Sequence, residues 1–96
     1  MPTDHNLEQP VGTIFVSVCG LVHHEERHGA AQGDKKAYDI YNLLVDVMGA
    51  PGVVQIACRT EREMKQYDDG VVATVLASVV GDSKSRGAYR FNLRME

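Results

Sequence analysis

Tryptophan is absent and only six of the 96 residues are aromatic, which excludes a binding surface built from many stacked rings. Of two cysteines, Cys19 and Cys58, each lies in an apolar run without metal-ligand spacing. This excludes a disulfide scaffold and predicts reduced core thiols. No apolar run approaches the roughly 18 residues of a membrane span, and the acidic start lacks the basic opening of a signal peptide. A soluble protein of the cytoplasm, or of the host cytoplasm if the source is viral, is therefore expected, with no membrane contact. Equally missing are a glycine-rich phosphate loop with its lysine and any recognisable serine or cysteine nucleophile signature. The paired acids Glu25-Glu26 and Asp68-Asp69 fall in segments read as a loop and a turn, where solvation is the default. No enzymatic activity and no cofactor is expected.

What is present is an uneven charge. The chain carries a net charge of -3, which argues against indiscriminate nucleic-acid binding. Its first 34 residues hold five acids against Arg27, while residues 35–96 hold nine bases against eight acids. Lys84, Arg86, Arg90 and Arg94 form a cationic run free of acids near the end. Local fields decide docking more than the total does.

Residues 1–10 are polar, contain two prolines and show no periodicity, so a flexible arm is predicted, followed by one domain over 11–96. Alternation over Val11–Val22 predicts a strand with Ile14, Val16, Val18 and Val22 on one face, and Gly20 as the place where it bends. His23–Lys36, with two glycines and many charges, reads as a long exposed loop. Its histidines and acids invite a metal, but their spacing does not set two ligands on one helical face, and no metal is expected. Ala37–Met48 fits two patterns. Ala37, Ile40, Tyr41, Leu44, Val45 and Met48 share a helical face, which local pattern favours, while β-branched and aromatic residues allow a strand. Residues 49–52 are a turn, Val53–Cys58 a short strand, and Thr60-Glu61-Arg62-Glu63 a capping box opening a helix over Thr60–Gln66. Val71–Val80 is an apolar strand, Gly81–Ser85 a turn, and Arg86–Met95 a strand with Tyr89, Phe91, Leu93 and Met95 on its core face.

If residues 37–48 are extended, this order is that of a mainly β, five-stranded OB-fold barrel with a short helix between strands 3 and 4. The alternative is an α+β domain with residues 35–48 helical. Such barrels bind oligonucleotides on strands 2 and 3 and on the loops joining strands 1 to 2 and 4 to 5. Those two connections are long and charged here, or flanked by arginine.

Lys36-x-Tyr38, Asp46-x-x-Gly49, Tyr67-x-x-Gly70, Ser78 and the closing Leu93-Arg94-Met95 resemble the pattern of the gene V-type helix-destabilising, single-stranded DNA-binding proteins of filamentous phages. The resemblance spans roughly residues 11–96. The front half, with Gly20, the charged loop and Gly33, is also similar to bacterial single-stranded DNA-binding proteins and their primosomal relatives. Both resemblances imply a self-associating OB-fold, here a homodimer, that binds single strands without strong sequence preference during DNA replication. Tyr38 would meet a base and Lys36 a phosphate. The chain departs from the pattern at Ala37, which replaces a proline, at Val45, where an aromatic is common, and in a strand 4–5 turn without its aromatic.

Single-strand binding needs cations along a groove and flat side chains on which bases stack. Arg27, Lys35 and Lys36 on one loop, and Lys84, Arg86, Arg90 and Arg94 on the other side, are the candidate phosphate contacts. Tyr38 and Tyr41 are the candidate stacking residues, with RNA left open beside DNA. The competing expectation is a small protein-interaction module acting through its acidic loop, without nucleic-acid binding.

Overall fold

The computed structural model describes residues 13–85 and 88–96, the side chains of 82–85 and 88–90 lying outside the description. The arm expected over 1–10, Arg86 and the side chains of Lys84, Tyr89 and Arg90 are therefore outside the described residues. Five strands and one helix follow in order: β1 (Phe15–Gly29), β2 (Tyr38–Val47), β3 (Val53–Cys58), α1 (Glu61–Met64), β4 (Val72–Ser85) and β5 (Ala88–Met95). The protein is mainly β, with the helix between the third and fourth strands as expected. None of the described helices is long and apolar enough to cross a membrane.

The strands form a single sheet in the order β1-β2-β3-β5-β4, and β4 returns to β1, so the sheet closes on itself as a ring. All neighbours are antiparallel except β3 and β5. The register fixes the stagger of the closure. From Glu25 the paired residues run to Asn42, Ala57, Arg94 and Ser78, then back to β1 at Phe15, ten residues before the start. That offset is the shear of the ring, and it tilts every strand relative to the ring axis.

One strand serves both halves of the closure. The first half of β1 pairs with β4 and the second with β2, and Gly20 and Leu21 pair with both. Gly20 is required at that crossing. A Cβ there would collide with the Asp46 carbonyl on β2, so the two backbones could not approach as they do.

Inward-facing residues of all five strands and the helix make the core, which comprises Val22, Leu43, Val45, Ile56, Met64, Val75, Ala77 and Met95. Alternation places them there, since Val16, Val18, Gly20 and Val22 point inward on β1 while Phe15, Ser17 and Cys19 stay exposed. A four-residue helix cannot support itself. α1 is held by fully buried Met64, worth roughly 1.5–3 kcal/mol of transfer, and by Thr60, whose Oγ1 accepts from Glu63 N at 3.1 Å. The reciprocal half of the capping box is displaced by one residue, because the Glu63 carboxylate accepts from Arg59 N at 3.2 Å.

Several expectations are corrected. Residues 38–47 are extended, so the helical alternative for 35–48 fails: Tyr41, Leu43, Val45 and Val47 pack on the core with a period of two. The loop predicted over 23–36 shrinks, because β1 continues through His23–Gly29. There the chain has left the apolar core, and its inward side chains meet polar partners instead. His24 Nε2 donates to the Tyr67 carbonyl at 2.6 Å and His24 N to Asp69 Oδ1 at 2.8 Å. Gly81–Ser85 is strand rather than turn, entered through a bulge between Val79 and Gly81. Cys19 is exposed and not a core thiol. Cys58 is half-buried, and burial pushes its thiol up to about 11. Phe91, expected in the core, is 73% exposed; β5 has passed the end of the ring at that height.

Candidate functional site

The connection between β1 and β2 spans residues 30–37 and carries its own small turn. Gln32 and Lys35 exchange backbone hydrogen bonds, Gln32 N to Lys35 O at 3.0 Å and Lys35 N to Gln32 O at 2.8 Å. Gly33 sits between them at φ +54°, in the left-handed region. The two lysines that follow, Lys35 and Lys36, are exposed.

At the base of this loop Gly29 pairs with Tyr38. The tyrosine ring covers the glycine, so that a Cβ at position 29 would fall among ring atoms Cδ1, Cε1 and Cζ. Tyr38 is nevertheless 51% exposed. Its ring is one wall of an open groove of about 510 Å³ lined by Gly29, Ala30, Gln32, Lys35, Lys36 and Tyr38. Arg27 is exposed and pairs with Ile40 on the same outward face. It is thus the diagonal neighbour of Tyr38, roughly 7–8 Å away by sheet geometry. Arg27, Lys35, Lys36 and Tyr38 are brought together as a cationic surface around one exposed ring.

Tyr41 is not part of it. It points to the other side of the sheet, half-buried against the core, and stands edge-on to His28 at 5.7 Å. Burial, then the charge of Asp39, raises its pKa. His28 Nδ1 lies 2.7 Å from Asp39 Oδ1 and its Nε2 3.6 Å from Glu26 Oε1. The hydrogen bond to Asp39 holds the His28 pKa above the ordinary histidine value. The acids placed in a loop by the sequence pattern are therefore on strand β1. Glu25 accepts from Asn42 Nδ2 at 2.8 Å. Among the described residues no three His, Cys, Asp or Glu side chains are grouped so as to hold a metal ion.

The second cationic set is on the β4–β5 hairpin. Lys84 pairs with Tyr89 and Ser83 with Arg90 near its tip, and Arg86 lies outside the described residues. Arg94 is further down β5, between Ala57 of β3 and Ser78 of β4. It is half-buried, and its Nε is a buried donor without an acceptor among the described residues.

One feature escapes the sequence pattern. β3 and β5 pair only at Ile56 with Leu93 and Ala57 with Arg94. Beyond those two rungs the strands part, leaving an open groove of about 670 Å³ lined by Leu44, Val53, Val54, Gln55, Ala57, Val80, Phe91, Asn92 and Leu93. Alternation alone sent Phe91 inward. The signal that could have corrected it is its distance from the last core residue of β5, Met95, four positions away and so two rungs up the strand. Comparison of the chain with protein-family models, with curated proteins and with solved structures found no match.

Proposed function

We propose that the ring is an OB-fold barrel and that the protein binds single-stranded DNA without strong sequence preference, as a replication protein coating unpaired strands. The observation that carries this reading is the exposed Tyr38 ring seated on Gly29 with Arg27, Lys35 and Lys36 around it. A flat side chain among cations is what base stacking with phosphate neutralisation requires. Strand order, shear and the helix between β3 and β4 support the fold assignment. On an OB-fold the two connections carrying cations are the ones that flank the oligonucleotide.

Self-association belongs to the same proposal, with a second copy on the outer face of β1 and β4. No charged residue occurs in 13–22 or 71–80. Phe15, Val72 and Leu76 are 53%, 61% and 45% exposed there, with Ser17, Cys19 and Thr74 between them. An exposed apolar face without charge is the kind of surface that marks a protein contact.

The test is an anisotropy titration of labelled oligo-dT beside a duplex of equal length, at several salt concentrations. Preference for the single strand, with a log–log salt slope of about -2 to -4 for roughly three to five phosphates, is the expected result. Equal affinity for duplex, or no binding at low salt, overturns the proposal.

A further inference from the structure

Among the described residues, those that line the groove where β3 and β5 part are all uncharged. This described lining is neutral, yet it is not purely apolar. Gln55 and Asn92 line it together with Leu44, Val53 and Leu93, and Phe91 offers a ring that is 73% exposed. Its size falls within the span of about 300–1,000 Å³ typical of small-molecule sites. A neutral planar heterocycle with donors and acceptors on its edge suits this lining: the ring stacks, and the amides pair with the edge.

At the groove's rim, Val80 and Phe91 stand where the β4–β5 hairpin continues beyond the ring.

We infer that the gap between β3 and β5 is a nucleobase subsite of a bound single strand, with Phe91 as its stacking face and Gln55 and Asn92 as its polar contacts. This rests on the single-strand reading above and adds to it a second base position remote from Tyr38. Because amides contact the base edge, this position is the one where a preference among bases would arise, whereas stacking at Tyr38 tolerates any base.

The chain has two phenylalanines, so the full-length protein grown with 4-fluorophenylalanine gives two fluorine signals, assigned with Phe15→Leu. The probes are oligo-dT and an abasic deoxyribose-phosphate strand of equal length. The expected result is that the Phe91 signal moves with oligo-dT and stays with the abasic strand, while Phe91→Leu lowers oligo-dT affinity about ten-fold and leaves abasic affinity unchanged. If oligo-dT binds and the Phe91 signal does not move, the subsite is wrong and single-strand binding stands. If neither strand binds at low salt, both fall. A Phe91 signal that responds to protein dilution and not to oligo-dT assigns the groove to a second copy and overturns the inference.

Discussion

The ring of Tyr38 occupies the space that a side chain at Gly29, its partner across β1 and β2, would need. A glycine covered by a cross-strand aromatic is a known way of fixing the ring's position in a sheet. Here it fixes an exposed tyrosine beside two lysines. Gly29→Ala is expected to displace the ring and weaken oligo-dT binding by about 1–3 kcal/mol, the range of a single base stack. Tyr38→Ala should cost the same, and the double variant no more than either, since both remove one interaction. An additive double variant, read by anisotropy, would mean that Gly29 acts elsewhere.

Charge and stacking separate in their salt dependence. Replacing Arg27, Lys35 and Lys36 by alanine should flatten the log–log salt slope by about 0.7 for each phosphate no longer neutralised, whereas Tyr38→Ala leaves the slope unchanged. The hairpin pair Arg86 and Arg90 should behave like the lysines. A slope that survives all of these substitutions would place the phosphates on another face.

How much of this was legible in the sequence depends on where each residue lies along the ring. Val53–Cys58 and the helix after Thr60 were readable because glycine turns and a cap mark them locally. β2 was ambiguous because Ile40 and Leu44 are apolar on its outer face while Leu43 and Val45 fill the core, so helical and extended periods both fit. Its hydrogen bonds go to β1 and β3, and no local signal records them. Periodicity also reports which way a side chain points but not how far the core extends. His24, Glu26 and His28 continue the inward row of Val18, Gly20 and Val22 past the end of the core, and their polarity imitated a loop. Phe91 is the same error in reverse: it lies on the correct face, at a height where the ring has ended. Arg27, Lys35, Lys36 and Tyr38 were legible as a cationic and aromatic group, while Tyr41, three residues on, turned to the core.

Gly20 tests the closure itself. Gly20→Ala drives a Cβ into the Asp46 carbonyl, and backbone cannot swing aside as a side chain would. A loss of about 1–3 kcal/mol, the usual cost of overpacking, is expected in urea unfolding. Unchanged stability would show that β1 and β2 do not approach this closely.

His28 should titrate above the ordinary histidine value of about 6.5, because its imidazolium donates to Asp39 and, more weakly, to Glu26. A pKa raised in the folded state stabilises fully below the unfolded value and ceases to do so as pH rises through the folded one. Asp39→Asn should therefore lower the His28 pKa, measured by NMR of the ring proton, and weaken the dependence of stability on pH just above 6.5. An unshifted His28 signal in the Asp39 variant would remove the pair.

The outer face of β1 and β4 is where the proposed self-association can be tested. The uncharged segments 13–22 and 71–80, side by side, carry Phe15, Cys19, Val72, Thr74 and Leu76 outward, and only Ser17 and the threonine lighten the patch. A monomer would leave this surface in water, and apolar patches of several hundred Å² on soluble proteins mark contact sites. If a copy covers it, the contact is isologous, and the residue nearest the two-fold axis meets its own counterpart. Cys19 lies mid-face, so mild oxidation should cross-link the native dimer there, and Cys19→Ser should abolish the cross-link while leaving a dimer in analytical ultracentrifugation. Leu76→Glu puts a charge into the apolar contact and should give a folded monomer. A Leu76→Glu protein that still sediments as a dimer would assign association to a different face. A monomeric wild type at high concentration would remove it altogether.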